Sequence, residues 1–202
     1  MRQHDERLPS RLVSVDQHRW ILSGGLASGK SKVRQILDSE GIATIDADRI
    51  GHMILEPEGP AFAEVAARWP LAVRNGEIDR PALASEVFKD RTELAALESI
   101  THPYIFDMIM AQVEELEGSV VVEIPLLNIV LGGGWRRIVV DCRDETRLQR
   151  AIDRGMDEGD ARSRMAFQPR REEWLADADL VLPNRGSVSE LRSAVLALLP
   201  HL

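Results

Sequence analysis

A single cysteine, Cys142, stands among 202 residues. One thiol can build neither an internal disulfide nor a cysteine-cluster metal site. Long hydrophobic runs are also missing. No stretch approaches the roughly 20 apolar residues that a bilayer-spanning helix needs, and nothing near the N-terminus has the apolar core of a secretory leader. Basic excess is missing as well, since 25 Lys and Arg stand against 33 Asp and Glu for a net charge of −8. A general nucleic-acid or membrane-surface binder usually carries the opposite sign, so any anion site must be local. Together these absences predict a cytoplasmic protein with neither a nucleic-acid nor a membrane partner. What remains, 44% hydrophobic and 29% charged residues, has the balance of a globular domain. The length suits one full-sized core with room for an insertion.

The stretch with the most chemistry is Gly24-Gly25-Leu26-Ala27-Ser28-Gly29-Lys30-Ser31, which fits G-x-x-x-x-G-K-[ST]. In such a P-loop, backbone amides curl around a nucleotide's phosphates, the Lys reaches the terminal phosphates and the hydroxyl ligates Mg²⁺. The flanks agree. Trp20-Ile21-Leu22 reads as a short buried strand, and Val33, Ile36 and Leu37 recur at helical spacing up to Gly41, a C-cap residue. Strand, turn and helix N-terminus therefore bring free amides and the positive end of a helix dipole to one point. A Gly-rich turn that merely joined strand to helix would need neither Lys30 nor Ser31.

Residues 1–18 are polar, mixed in charge and without a sustained period, so they read as a poorly ordered extension outside the core. Ile42 to Asp48 predicts a second strand ending in two carboxylates. Residues two apart face the same side of a strand, so Asp46 and Asp48 can both point beyond its carboxyl end, where open α/β sheets bind ligands. A kinase acting on a hydroxyl needs such a carboxylate to orient the group and accept its proton. Either Asp could instead cap a helix starting near Arg49. From Ile50 to Leu116 the pattern is helical, with segments at Pro60 to Trp69, Pro81 to Phe88 and Glu93 to Glu115 separated by turns such as Arg74-Asn75-Gly76. Parallel strands are usually joined by one helix, so this interval reads as an inserted lobe that grips a substrate. Ser119 to Ile124 is a buried strand closed by Glu123, a Walker B-like arrangement in which a carboxylate holds Mg²⁺ or its water. Arg137 to Asp141 and Ala178 to Leu182 complete a five-stranded parallel sheet covered by helices. Val188 to Leu199 is an amphipathic helix packing on that sheet.

Between the last two strands lies the most basic part of the chain. Arg143, Arg147, Arg150 and Arg154 form one stripe on a helix, followed by Arg162, Arg164, Arg170 and Arg171. A stripe of this kind is usually a solvated face, and Asp144 and Asp153 fit that reading. On a mobile lid, one or two of these arginines would neutralise charge on a transferring phosphoryl group, with Gly155 and Gly159 as hinges.

The ordered motifs resemble one family, the dephospho-coenzyme A kinases. The glycine-rich loop is similar to the family's GGIGSGKS with Ala27 in place of a Gly, and Ile45-Asp46-Ala47-Asp48 resembles its DAD element. Gly76-Glu77-Ile78-Asp79-Arg80, Val87-Phe88 and Thr101-His102-Pro103 follow in the family's order. Glu123-Ile124-Pro125-Leu126-Leu127 resembles its D-x-P-L-L strand end, and Gln168 and Ala178 to Asn184 resemble its lid glutamine and closing segment. The resemblance implies a three-layer α/β P-loop fold, residues 19–202 as one kinase domain, a helical acceptor-binding insertion at about 50–117 and an arginine-bearing lid at about 147–173. It implies transfer of the γ-phosphate of ATP to the ribose 3′-hydroxyl of dephospho-CoA, with Mg²⁺. Asp48 would engage that hydroxyl, with Asp46 as the alternative. Lys30 would stabilise the β- and γ-phosphates, Ser31 and Glu123 would hold the metal, and Arg150 and Arg154 would meet the ATP phosphates. Arg80 and His102 would receive dephospho-CoA, and Asn184 would lie on the adenine side. The chain departs from the pattern in having Glu123 for Asp, Asn128-Ile129 for Phe-Glu and Arg147 for Gln. A P-loop kinase for another small alcohol, nucleoside or nucleotide is the nearest alternative. A GTPase-like switch is a poorer one, since no N-K-x-D guanine-reading motif occurs. A monomer or weak homo-oligomer is expected.

Overall fold

The middles of the central strands, Trp20-Ile21-Leu22 and Val120-Val121-Val122, are apolar, and successive side chains enter opposite cores. Ile21, Val120 and Val122 join one cluster, whereas Trp20, Leu22 and Val121 join the other. Both faces of the sheet are thus buried, as a parallel sheet requires. The computed structural model describes residues 18–125 and 131–202. Within them the chain runs β1 (Arg19–Ser23), α1 (Lys30–Ser39), β2 (Ala43–Asp46), α2 (Ala47–Met53), α3 (Phe62–Arg68), β3 (Val73–Arg74), β4 (Glu77–Ile78), α4 (Arg80–Val87) and α5 (Arg91–Glu114). It continues through β5 (Val120–Glu123), β6 (Trp135–Asp141), α6 (Asp144–Asp153), α7 (Glu158–Phe167), α8 (Arg171–Ala176), β7 (Leu180–Pro183) and α9 (Val188–Leu198).

Five parallel strands lie in the order β2-β5-β1-β6-β7. Helices α1 and α9 cover one face through Val33, Ile36, Leu37, Leu191 and Val195. The insertion covers the β2-β5-β1 side of the other, where Ile50, Val65, Leu83, Ile109 and Val113 share a core with the strands. Three layers result, as the sequence predicts. β1 is central, with the early crossover on one side of it and the late one on the other, so the crevice opens at its carboxyl end. The P-loop leaves from that point.

Local chemistry explains the boundaries. After α1, Gly41 takes φ +83°, the Gly41 amide donates to the Asp38 carbonyl and the Ile42 amide to Leu37, a Schellman end. Ser187 and Glu190 form a capping box that starts α9.

The structure corrects the sequence reading in three places. The inserted lobe is not wholly helical. Asn75 and Gly76 both have positive φ and close a two-residue hairpin between β3 and β4, the requirement of a type I′ turn. The second strand stops at Asp46, and Asp48 lies in the first turn of α2, so the alternation that would put both on one strand face does not apply. Asp46 is the N-cap and accepts from the Arg49 amide at 3.1 Å, which turns the chain into a helix two residues early. Finally, His18, which the sequence reading leaves outside the core, is tied to the sheet, because its carbonyl accepts from the Val120 amide. Residues 1–17, Leu126-Leu127 and Asn128-Ile129 lie outside the described residues.

Candidate active site

Backbone conformation makes the loop after β1. Gly24 and Gly29 have φ of +142° and +107°, and Ala27 stands at +55°. Gly29 caps α1 without a side chain, so the first helical amides stay open to an anion. Lys30 Nζ donates to the carbonyls of Gly24 and Gly25 at 2.8 and 3.2 Å, folded back over its own loop. Burial holds its pKa below the ordinary lysine value, and the charges of Glu123 and Asp48 oppose that fall. A confined ammonium beside open amides is what a polyphosphate would relieve.

At the end of β5, Glu123 is buried and its two oxygens are divided. Oε1 accepts from Ser31 Oγ at 2.9 Å and Oε2 from Arg34 Nε at 2.8 Å. A hydroxyl and a carboxylate side by side form the hard oxygen set that Mg²⁺ prefers, so the predicted pair fits that ion. Among the described residues no group of three or more His, Cys, Asp and Glu gathers into a metal cluster. Arg34 also donates to Asp46 Oδ2 at 3.0 Å. Sequence reasoning missed Arg34. Its position three residues after Ser31, on the same helix face, was the available signal.

Asp46 is therefore engaged twice, by Arg34 and by the α2 cap. Asp48 is not engaged in this way. Its carboxylate reaches solvent, yet crowding by protein atoms raises its pKa, Asp46 raises it further, and Lys30, His52 and Arg80 pull it back. Lys30 and Arg80 thus both lie near enough to Asp48 for it to feel their charge. Arg80 begins α4 and is exposed, and His102 is a half-buried residue of α5.

The basic segment divides differently from a solvated stripe. Arg147 is 4% exposed. Its Nε donates to the Leu26 carbonyl at 2.9 Å, one terminal nitrogen to Asp144 and the other to Gln168 Oε1, both at 2.8 Å. Arg150 turns to Asn184 Oδ1 at 3.3 Å and to Cys142 Sγ at 3.5 Å. Asn184 in turn donates to the Ser28 carbonyl at 2.7 Å, and a Cβ on Gly29 would meet its amide nitrogen at 2.2 Å. Arg171 and Arg185 both grip Asp141. Arg154, exposed at the C-cap of α6, borders a cavity of about 300 Å³ with Leu26, Ala27, Ala151, Gly155 and Met156. The structure brings Lys30, Ser31, Glu123, Asp46 and Asp48 to one side of the P-loop, and Arg150, Asn184 and Arg154 to the other. No described contact joins His102 to them.

Comparison with known proteins identifies the family. The family model for dephospho-CoA kinase matches residues 20–190. A dephospho-CoA kinase of Streptomyces avermitilis is 40% identical over 185 residues, covering 86% of this chain and 88% of its own. A crystal structure from Thermus thermophilus superposes with a TM-score of 0.79 at 33% identity, covering 92% of this chain and 98% of that one. The dephospho-CoA kinase of Campylobacter jejuni superposes at 0.61 with 26% identity, covering 92% and 97%. Identity at this level, sustained from β1 into α9 and accompanied by the same fold, means that the chain belongs to the dephospho-CoA kinase family.

Proposed function

We propose that the chain transfers the γ-phosphoryl group of ATP to the ribose 3′-hydroxyl of dephospho-CoA, giving CoA and ADP. One observation carries the assignment of roles: Asp46 is committed to Arg34 and to the α2 cap, whereas Asp48 is exposed and near enough to Lys30 to feel its charge.

In this reading the P-loop amides and Lys30 hold the β- and γ-phosphates. Asp48 orients the 3′-hydroxyl and takes its proton as the new O–P bond forms and the bond to ADP breaks. A loose phosphoryl transition state leaves positioning and charge neutralisation as the protein's main work. Mg²⁺, held by Ser31 Oγ and Glu123, would supply charge neutralisation on the phosphate oxygens. Arg154 supplies a cation from the far flank of the loop, and Arg150 can join it only by leaving Asn184. Arg80 and His102 receive the acceptor from the inserted lobe. Closure is assigned to the segment at about 147–173, with Gly155 at φ +88° as its hinge, while Arg147, Ala151 and Ala161 within it are buried against the P-loop side. The partners are small molecules, and the chain works in the cytoplasm as a monomer or weak homo-oligomer. None of the described helices is long and apolar enough to cross a membrane.

The test is ADP release with ATP and Mg²⁺ across acceptors: dephospho-CoA, nucleosides, nucleotides and water. Turnover that needs dephospho-CoA and yields CoA is the expected result. Turnover with another acceptor overturns the substrate and moves attention to the lobe between α2 and α5.

A further inference from the structure

Two side chains from one region hold both polar atoms flanking Leu26 in the P-loop. Gln168 Oε1 accepts from the Leu26 amide at 2.7 Å, and Arg147 Nε donates to the Leu26 carbonyl at 2.9 Å. The two are also joined to each other, Arg147 to Gln168 Oε1 at 2.8 Å, and Asp144 anchors the guanidinium from its remaining side. Gly25 accommodates them. A Cβ there would lie 2.0 Å from a guanidinium nitrogen that is buried and pinned. Gln168 is the C-cap of α7, so this clamp is also where α7 is fastened to the P-loop.

We infer that Arg147 is a positioning residue for the nucleotide site: with Gln168 it sets the Leu26 segment of the P-loop and docks the end of α7 against it. The inference rests on the P-loop being the ATP site. Leu26 also borders the cavity beside Arg154, so loosening its backbone disturbs the loop and its flank together. The acceptor lobe, on the other side of the sheet's end, makes no part of the clamp.

The test is ADP binding by calorimetry, with KM for ATP and for dephospho-CoA in parallel, on Arg147→Ala, Gln168→Ala, Gln168→Glu and the double alanine variant. Arg147→Ala weakens ADP binding and raises the ATP KM on the order of tenfold, the scale of one lost charged hydrogen bond. The dephospho-CoA KM moves less than about twofold. Gln168→Glu keeps an acceptor oxygen and restores binding that Gln168→Ala loses. The double variant is no worse than Arg147→Ala, because the two act on one segment. ADP affinity unchanged in both single alanine variants, whatever their thermal stability, overturns the inference and makes Arg147 a structural residue only. Additive losses overturn the shared clamp. Gln168 is only half-buried, so its variants carry the test if Arg147→Ala does not fold. A wild-type protein that binds no ADP overturns the nucleotide-site reading itself, a result distinct from the other two.

Discussion

Ala27 occupies a left-handed backbone position, φ +55°, that glycine adopts without cost. An L-residue there is strained by roughly 1–2 kcal/mol. Its methyl group is nevertheless buried against Ala151 and Ala161, and a buried methyl recovers about 0.8 kcal/mol. Burial offsets about half of the strain, which is why this loop tolerates the side chain. Ala27→Gly is therefore expected to leave the thermal midpoint within about 3 °C of the parent. Ala27→Val adds β-branching to the same φ and should lower the midpoint and nucleotide binding together. At Asp48, desolvation and then the Asp46 charge favour the neutral carboxyl, so the folded pKa lies above that of an unfolded aspartate, about 3.9. Between those two values the folded state holds the extra proton, so stability falls as pH rises through that window. Asp48→Asn should match the parent below the unfolded pKa and have the higher thermal midpoint at pH 7, while turnover drops about 10²- to 10⁴-fold. A midpoint that fell along with turnover would make Asp48 structural.

Where β6 ends, Asp141 fastens two later elements to the sheet. Arg171 at the start of α8 makes two bonds to it, at 2.6 and 2.8 Å, and Arg185, just beyond β7, one at 2.7 Å. The carboxylate is 2% exposed, and the Arg171 hydrogen bonds are the first reason its pKa falls below the ordinary range. Asp141→Asn should destabilise by about 2–3 kcal/mol at pH 7, less than a wholly buried pair, because both arginines can regain water. The depressed pKa gives stability that is present above the unfolded value and lost as pH falls through the folded one. The gap between the urea midpoints of parent and variant should therefore begin to narrow only below about pH 4 and close below the folded pKa. Elements of this kind differed in how plainly the sequence announced them. β1, β5 and α1 were legible because the two strands centre on short unbroken apolar runs and Val33, Ile36 and Leu37 recur at helical spacing before Gly41. The β3–β4 hairpin was not, because two-residue strands carry no period, and only Asn75-Gly76 marked it. α2 began early because a capping Asp overrode an apparent period of two. The P-loop residues were readable from local spacing, but the Arg34–Glu123 bond spans 89 residues and the Leu26–Gln168 bond 142. Such partners exist only once the sheet has brought its ends together.

At the scale of the whole molecule, the inserted lobe has no core of its own. Ala61, Val65, Leu83 and Val87 from the lobe belong to the same buried cluster as Ile21, Ile45, Val120 and Val122 from the sheet. Removing the lobe would expose one face of three strands, so lobe and sheet must melt together. Calorimetry should give one transition with equal calorimetric and van't Hoff enthalpies. Nucleotide sharpens the test. ATP with Mg²⁺ at about 100 times its dissociation constant adds about 2.7 kcal/mol, which should move that single midpoint up by about 5–10 °C. Lys30→Ala, which removes the cation proposed to meet the phosphates but no core contact, should keep the single transition and lose most of the shift. Two transitions, only one of them displaced by nucleotide, would mean that the acceptor lobe unfolds apart from the P-loop. In that case the continuous core would not couple the acceptor lobe to the nucleotide site.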